Sequence, residues 1–350
     1  MKKSLVALAA LALVGAASAQ SSVTLFGVVD ATVAFGNGSV SNKTQLTNSG
    51  YNSSRLGFRG TEDLGGGLNA SFWLEAGVNN DNGSGANTST NNQATGATGG
   101  GGLTFNRRST VSLGGAFGEA RLGRDYTPHF WNQTVFDPFG TNGVGTTQTL
   151  NSGLGGATAV RASNSIGYFL PKMGGIYGQA QLYMGENNKN GAATEKDGGG
   201  ASMRVGYAAG PINAAFAYAE TKFAAGNIKS TNIGASYDLG VAKLSGLYTQ
   251  DKNSSVTSPD GKGYLLGVNA PMGAGEIRAA YSTYTTEFVT DSKSKKLALG
   301  YVHNLSKRTA LYTTVARVSN SGGAAQALNG AVTGVNNNST GVDLGVKHSF

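Results

Sequence analysis

Arginine and carboxylate side chains, rather than nucleophiles, are the residues of this chain spaced to do chemistry. Arg55 and Arg59 alternate with Leu56 and Phe58. A strand at this point sends both guanidiniums to the face opposite the apolar pair, because side chains repeat every two residues. Glu75 likewise stands opposite Leu68, Ala70, Phe72, Leu74, Ala76 and Val78. Arg107 and Arg108 are adjacent, and Val111 and Leu113 share the parity of Arg107. Patterning alone therefore turns Arg108, not Arg107, away from the apolar face. Asp137 opens Asp137-Pro-Phe-Gly140 in a segment that also carries Phe130, Trp131 and Phe136, and Asp125 is a weaker acidic candidate. Guanidinium stays charged at any working pH, so these residues offer fixed fields that steer ions, not groups that make or break bonds.

The residues that bond chemistry needs are not assembled. The three histidines are His129, His303 and His348, and none belongs to a recognisable Ser/His/acid set. The Gly99 to Gly102 run lacks the Lys-Ser/Thr of a phosphate-binding loop. There are no cysteines and no clustered histidines, so neither disulfides, a metal site nor a cofactor is expected. Lys293, Lys295 and Lys296 form a small basic cluster, read here as the solvated edge of a loop.

Elements that could hold such charges follow from composition and period. Lys2 and Lys3, an apolar stretch from Leu5 to Val14 and Ala17-Ser18-Ala19 make residues 1–19 a secretory signal peptide. Removing it lowers the formal charge from +8 to +6 and leaves residues 20–350 as one domain. An exported chain without a basic–aromatic cluster is not expected to bind nucleic acid. No later run is long and apolar enough for a transmembrane helix. Charged residues are only 13%, and 55 glycines stand against six prolines. That balance suits a barrel with a lipid-facing band.

Alternating segments recur from Val23–Phe35 to the last nine residues. In that last segment Val342, Leu344, Val346, His348 and Phe350 oppose Asp343, Gly345, Lys347 and Ser349. Short turns, such as 62–67 and 271–275, alternate with long polar connections near 36–53, 79–103, 126–163, 185–201, 220–229, 250–263, 285–295 and 319–339. Seven short and eight long connections join sixteen strands. No segment beyond the leader shows sustained helical spacing. The expected fold is all-β: a 16-stranded antiparallel transmembrane barrel with short periplasmic turns and long extracellular loops. Only a closed barrel satisfies every backbone group in lipid without helices. The third loop, 126–163, is too aromatic for open solvent and is expected to fold into the lumen.

Several segments carry a closer likeness: Ser22-Val-Thr-Leu-Phe-Gly27, Ser54-Arg-Leu-Gly-Phe-Arg-Gly-Thr-Glu-Asp-Leu-Gly65, Asn106-Arg-Arg-Ser-Thr-Val-Ser-Leu113, Phe117-Gly-Glu-Ala-Arg-Leu-Gly-Arg124, Gly300-Tyr-Val-His-Asn-Leu-Ser-Lys-Arg-Thr-Ala310 and the terminal Phe350. With these, the chain resembles the Gram-negative general diffusion porins, specifically the anion-selective trimeric porins of beta-proteobacteria. The resemblance implies an outer-membrane homotrimer, not an enzyme, that passes small hydrophilic solutes and prefers anions. It places Arg55, Arg107 and Arg161 as a ladder facing loop carboxylates, and so selects Arg107 where patterning selects Arg108. Glu75 and Asp137 are the opposing acids; Asp137 departs from the Pro-Glu-Phe-Gly order of related porins. Phe350 is implied as the signal read by the barrel-assembly machinery. Outer-membrane lipid and lipopolysaccharide are implied surroundings. The alternative is a substrate-specific porin for phosphate, organic anions or sugars.

Overall fold

The computed structural model describes residues 22–98, 101–151, 153–255, 258–287 and 290–350. The leader expected at 1–19 lies outside these residues. Sixteen strands follow one another: β1 Ser22–Gly38, β2 in two parts (Lys43–Asn48 and Arg55–Gly65), β3 Leu68–Asn79, β4 Arg108–Gly115, β5 Gly118–Tyr126 and β6 Arg161–Phe169. Next come β7 Ile176–Tyr183, β8 Gly200–Ala209, β9 Ile212–Thr221, β10 Ile228–Asp238 and β11 Lys243–Asn253. The set ends with β12 Asp260–Met272, β13 Gly275–Glu287, β14 Ser292–Asn304, β15 Thr309–Ser321 and β16 Ser339–Ser349.

Every strand pairs antiparallel with its sequence neighbour, and β1 pairs with β16 from Val28↔Ser349 to Gly38↔Ser339. The ring is therefore closed and has no free edge. Phe350 continues the seam beyond β16: its N–H donates to the Gly27 carbonyl and its carbonyl accepts from the Gly27 N–H, both at 3.1 Å. Alternation runs inside out relative to a soluble protein. Along β15, Ala310, Tyr312, Thr314, Ala316 and Val318 are buried inward, whereas Leu311 and Val315 are exposed on the outer face. Outward apolar residues meet lipid, and inward polar ones meet the lumen.

The seven short turns stand where the sequence placed them. The β2–β3 turn holds Gly65, Gly66 and Gly67 at φ of +80°, +62° and +81°, a region that side chains with a Cβ rarely enter. Three connections on the other rim are shorter than expected. The connections expected at 220–229, 250–263 and 285–295 shrink to 222–227, 254–259 and 288–291. Polar residues such as Lys229, Lys262 and Thr285 keep strand register above the lipid band, where both faces meet water. The first long connection also differs. A turn at 39–42 is followed by more of β2, and the chain leaves the wall only at 49–54. There the Asp30 carboxylate accepts the N–H groups of Tyr51 (2.9 Å) and Asn52 (2.6 Å), drawing the bulge into the lumen.

The third loop, 127–160, enters the barrel. It begins with a helix that the strand reading lacked, α1 Pro128–Phe136, with Thr127 as its N-cap and proline in its first turn. The cap and proline favour initiation. No single apolar stripe is visible in α1 because it is enclosed on several sides, with Pro128, His129, Phe130, Asn132, Gln133 and Phe136 all buried. Phe136, Phe139 and Val144 form one apolar cluster with Ala215, Leu247, Leu265, Ala280, Ala298, Ala316, Val318 and Leu328. Among the described residues this is the larger of two buried apolar clusters, and it lies between the loop and the wall from β9 to β15.

Candidate functional site

The remaining wall, β2 to β6, faces the same loop across an open cavity of about 760 Å³. Each arginine reaches it by inward alternation or by a break in it. Arg55 stands where β2 resumes, and its Nη1 donates to Asn52 Oδ1 (3.1 Å) and Ser53 O (3.0 Å) of the bulge. Glu75 of β3 gathers the wall. It accepts from Arg107 Nε at 2.6 Å and Trp73 Nε1 at 3.0 Å, with Arg55 Nε at 3.7 Å. Arg161, at the start of β6, donates from Nε to the Arg107 carbonyl at 2.9 Å and lays its guanidinium 4.4 Å from the Tyr126 ring centre. Tyr126 OH also accepts from Arg107 Nη2 at 2.9 Å. Arg55, Arg107 and Arg161 are thus tied to each other through Glu75, Tyr126 and one backbone carbonyl.

The choice between Arg107 and Arg108 dissolves in the structure, since both line the cavity. From Arg108 onward the strand alternates as patterning requires, with Thr110 and Ser112 buried inside and Val111 and Leu113 exposed outside. Arg107 lies just before the strand. Asn106 there accepts the Gly77 N–H (2.8 Å) and donates to the Asn87 carbonyl (2.9 Å), turning the chain so that two successive arginines face inward. Arg108 stacks 4.5 Å from the Trp73 ring, and Arg59 lies 4.9 Å from the same ring, opening the cavity toward the turn side of the barrel. Aromatic faces hold guanidinium planes without neutralising them.

Asp137 does not line this cavity. Its carboxylate accepts the N–H groups of Phe139 and Thr147, each at 2.9 Å, and so staples the loop's own turn. Burial holds its carboxyl above the usual range against those two hydrogen bonds. The acid that accompanies Glu75 on the cavity wall is Asp125, paired with Arg121 at 2.5 Å and Arg108 at 3.6 Å. Lys296 also departs from the sequence reading. It is 1% exposed, under the third loop rather than at a solvated edge, because β14 continues past the level of the loop.

Arg278 of β13 was missed altogether. It lines the cavity beyond the bulge, stacks 4.5 Å from the Tyr51 ring and pairs with Glu276 at 2.6 Å. The signal was present: Glu276 and Arg278 alternate with Ile277 and Ala279, as Arg55 and Arg59 do with Leu56 and Phe58. Around the cavity stand Arg55, Arg59, Arg107, Arg108, Arg161 and Arg278, against Glu75 and Asp125, an excess of four positive charges. The histidines stand apart. His303 contacts Tyr301, His348 contacts Thr309, and His129 is buried on α1, where desolvation pushes its imidazole down to about 4. Among the described residues no group of His, Cys, Asp or Glu could hold a metal ion.

Known proteins share this architecture. A sequence model described as Gram-negative porin matches residues 5–323. Outer membrane porin protein 32 of Delftia acidovorans is 41% identical, with both chains fully covered. An outer membrane porin of Bordetella pertussis is 28% identical, again over all of both chains. Among solved structures, an anion-selective porin from Comamonas acidovorans superposes with a TM-score of 0.84 at 37% identity, covering 95% of this chain and 100% of that one. The OmpF porin of Salmonella typhi shares the fold alone, at 14% identity, a TM-score of 0.64 and coverage of 94% and 97%. The chain belongs to the Gram-negative porin family and forms an outer-membrane channel for passive diffusion, not an enzyme.

Proposed function

We propose that the channel prefers anions and that its constriction is the gap between the third loop and the wall bearing Arg55, Arg107 and Arg161. The observation that carries this reading is the excess of four positive charges around one cavity. A narrow aqueous path with low-dielectric walls focuses such a field and raises the local anion concentration. Successive arginines provide several weak stations rather than one tight site, as conduction requires. Glu75 orients Arg107 and Arg55, Arg59 and Arg108 extend the basic surface toward the periplasmic side, and Asp137 keeps the loop in shape. The resemblance to an anion-selective porin supports the same preference.

Reversal potentials across planar bilayers in a salt gradient test this. Anion preference in the wild type, lowered about tenfold in permeability ratio by Arg107→Glu, is the expected result. Cation preference in the wild type would sink it. Linear rather than saturable solute flux in liposomes is expected of general diffusion. Assembly as a homotrimer, and removal of residues 1–19 on export, complete the proposal. Phe350 is proposed as the assembly signal, so its deletion should lower the yield of folded barrel in the outer membrane while leaving selectivity unchanged. Normal assembly of the truncated chain would remove that role.

A further inference from the structure

The wall behind the third loop carries a pattern that the arginine site does not use. Four inward glycines on alternate strands each meet one side chain of the loop. Gly234 of β10 lies under the Phe136 ring, Gly267 of β12 under Pro138, Gly300 of β14 under Phe139 and Gly341 of β16 under Val144. A Cβ at Gly341 would stand 2.6 Å from Val144 Cγ2, and one at Gly300 would stand 3.0 Å from Phe139 Cε1. At Gly234 and Gly267 it would fall onto the Phe136 ring and Pro138 Cγ. None of the four has a positive φ. Their backbones would accept any residue; only the space above them would not.

The register joins two of these glycines, Gly267 and Gly341, into a strip through three alanines, while Gly300 stands two residues from Ala298 along β14 and Gly234 is level with Leu247 of the next strand. Gly267 pairs with Ala280, Ala280 with Ala298, Ala298 with Ala316 and Ala316 with Gly341. Five successive strands therefore present nothing larger than a methyl group at one level of the lumen. Polar wall residues at the margins fasten the loop backbone down. Asp343 accepts the Val144 N–H at 2.8 Å, Ser282 accepts the Gln148 N–H at 3.2 Å, and Asn232 donates to the His129 carbonyl at 3.1 Å. Phe139, which sits on Gly300, also lines the arginine cavity. A displacement at the strip is transmitted to the pore because close-packed side chains shift as a unit.

We propose that this strip, with Gly234 and Gly300 beside it, is the gauge of the channel: the lack of side-chain volume there sets how far the third loop stands from the arginines, and hence the size of solute admitted. Gly234, Gly267, Gly300 and Gly341 are positioning residues, acting on permeation through the loop they seat. The inference rests on the loop–arginine gap being the constriction, proposed above. Bulk added to the strip moves the loop toward Arg55 and Arg107 and narrows the gap, while the charges that choose the ion are unchanged.

The test is single-channel conductance and liposome swelling with neutral sugars of graded size, on full-length protein whose barrel is verified by heat-modifiable electrophoretic mobility. Gly234→Val and Gly267→Val should each lower conductance by about twofold or more and reduce the sugar cutoff, with anion preference kept. Gly→Ala at the same positions replaces either variant that fails to fold. Gly234→Val with Phe136→Ala returns the lost volume without touching the cavity lining and should restore conductance. Unchanged or raised conductance in the folded Gly variants, or no rescue by the double variant, overturns the gauge. Arg107→Glu, measured alongside, separates the two ideas. If it alters selectivity while the Gly variants do nothing, the constriction stands and the gauge fails. If it too does nothing, the reading of the constriction fails first.

Discussion

The two halves of the inner wall obey one rule and reach opposite results. From β2 to β6 the inward positions carry arginines, Glu75 and aromatic rings, and the space before them is open. Under the third loop, from β12 to β16, one level of the wall carries only glycine and alanine, and the loop fills that space. The difference lies in what each half faces. A guanidinium is tolerated where water remains to solvate it and where Tyr126, Trp73 or Tyr51 supports its plane. Glycine and alanine are required where backbone and loop approach until only hydrogen atoms separate them. On the proposed reading the polar wall selects, and the apolar wall delivers the other side of the pore to it.

Breaking the charged half should have the largest effect. Arg107→Glu places a second carboxylate against Glu75, where a 2.6 Å ion pair now stands, and the tenfold fall in permeability ratio should come without loss of the barrel. Phe136→Ala attacks the other half by removing a ring with 0% exposure from the apolar cluster that seats α1 against the wall. Truncations of this kind cost about 3–5 kcal/mol, here charged to the docking of the loop rather than to the barrel. The expected readout is faster protease cleavage within 127–160 and noisier current, with the barrel intact. A quiet, resistant channel would show that the strip contributes little.

His129→Gln sharpens the comparison through pH. The imidazole is buried and held down to about 4 from an ordinary 6.5, so the docked loop favours its neutral form. A depressed histidine contributes nothing adverse above pH 6.5 and weakens docking as pH falls from 6.5 toward 4. The full effect is at most about 3 kcal/mol, at 1.36 kcal/mol per pH unit. Protection of the loop from protease should decline over that window in the wild type and stay flatter in His129→Gln. Asp137, whose carboxyl is raised, acts in the opposite sense and is common to both proteins. The smallest effect belongs to Thr127→Ala. It deletes a 3.4 Å cap to the Phe130 N–H and should cost about 0.5–1 kcal/mol of helix stability, read as a slight gain in hydrogen exchange across α1.

Much of this was legible in the chain because a barrel strand is its own pattern. Alternation placed Arg55 and Arg59 inward, located the short turns and predicted that β16 would close on β1. It failed where the period is interrupted or where both faces are wet. Arg107 escaped it because Asn106 bends the chain two residues before β4 begins. The polar ends of β9 to β14 read as loop because nothing apolar marks a strand above the lipid. The helix α1 escaped because a segment buried on several sides has no single apolar stripe.

By itself the sequence determined the number of strands and the excess of positive charge, local properties set by period two and by composition, and closure followed because lipid leaves no other partner for an edge strand. Tertiary structure alone decided that Asp125 rather than Asp137 joins Glu75 beside the arginines, and that Arg278 joins them from β13. It alone aligned Gly267, Ala280, Ala298, Ala316 and Gly341 into one strip beneath the third loop. These residues stand tens of positions apart, and only the hydrogen-bond register of neighbouring strands brings them to one level.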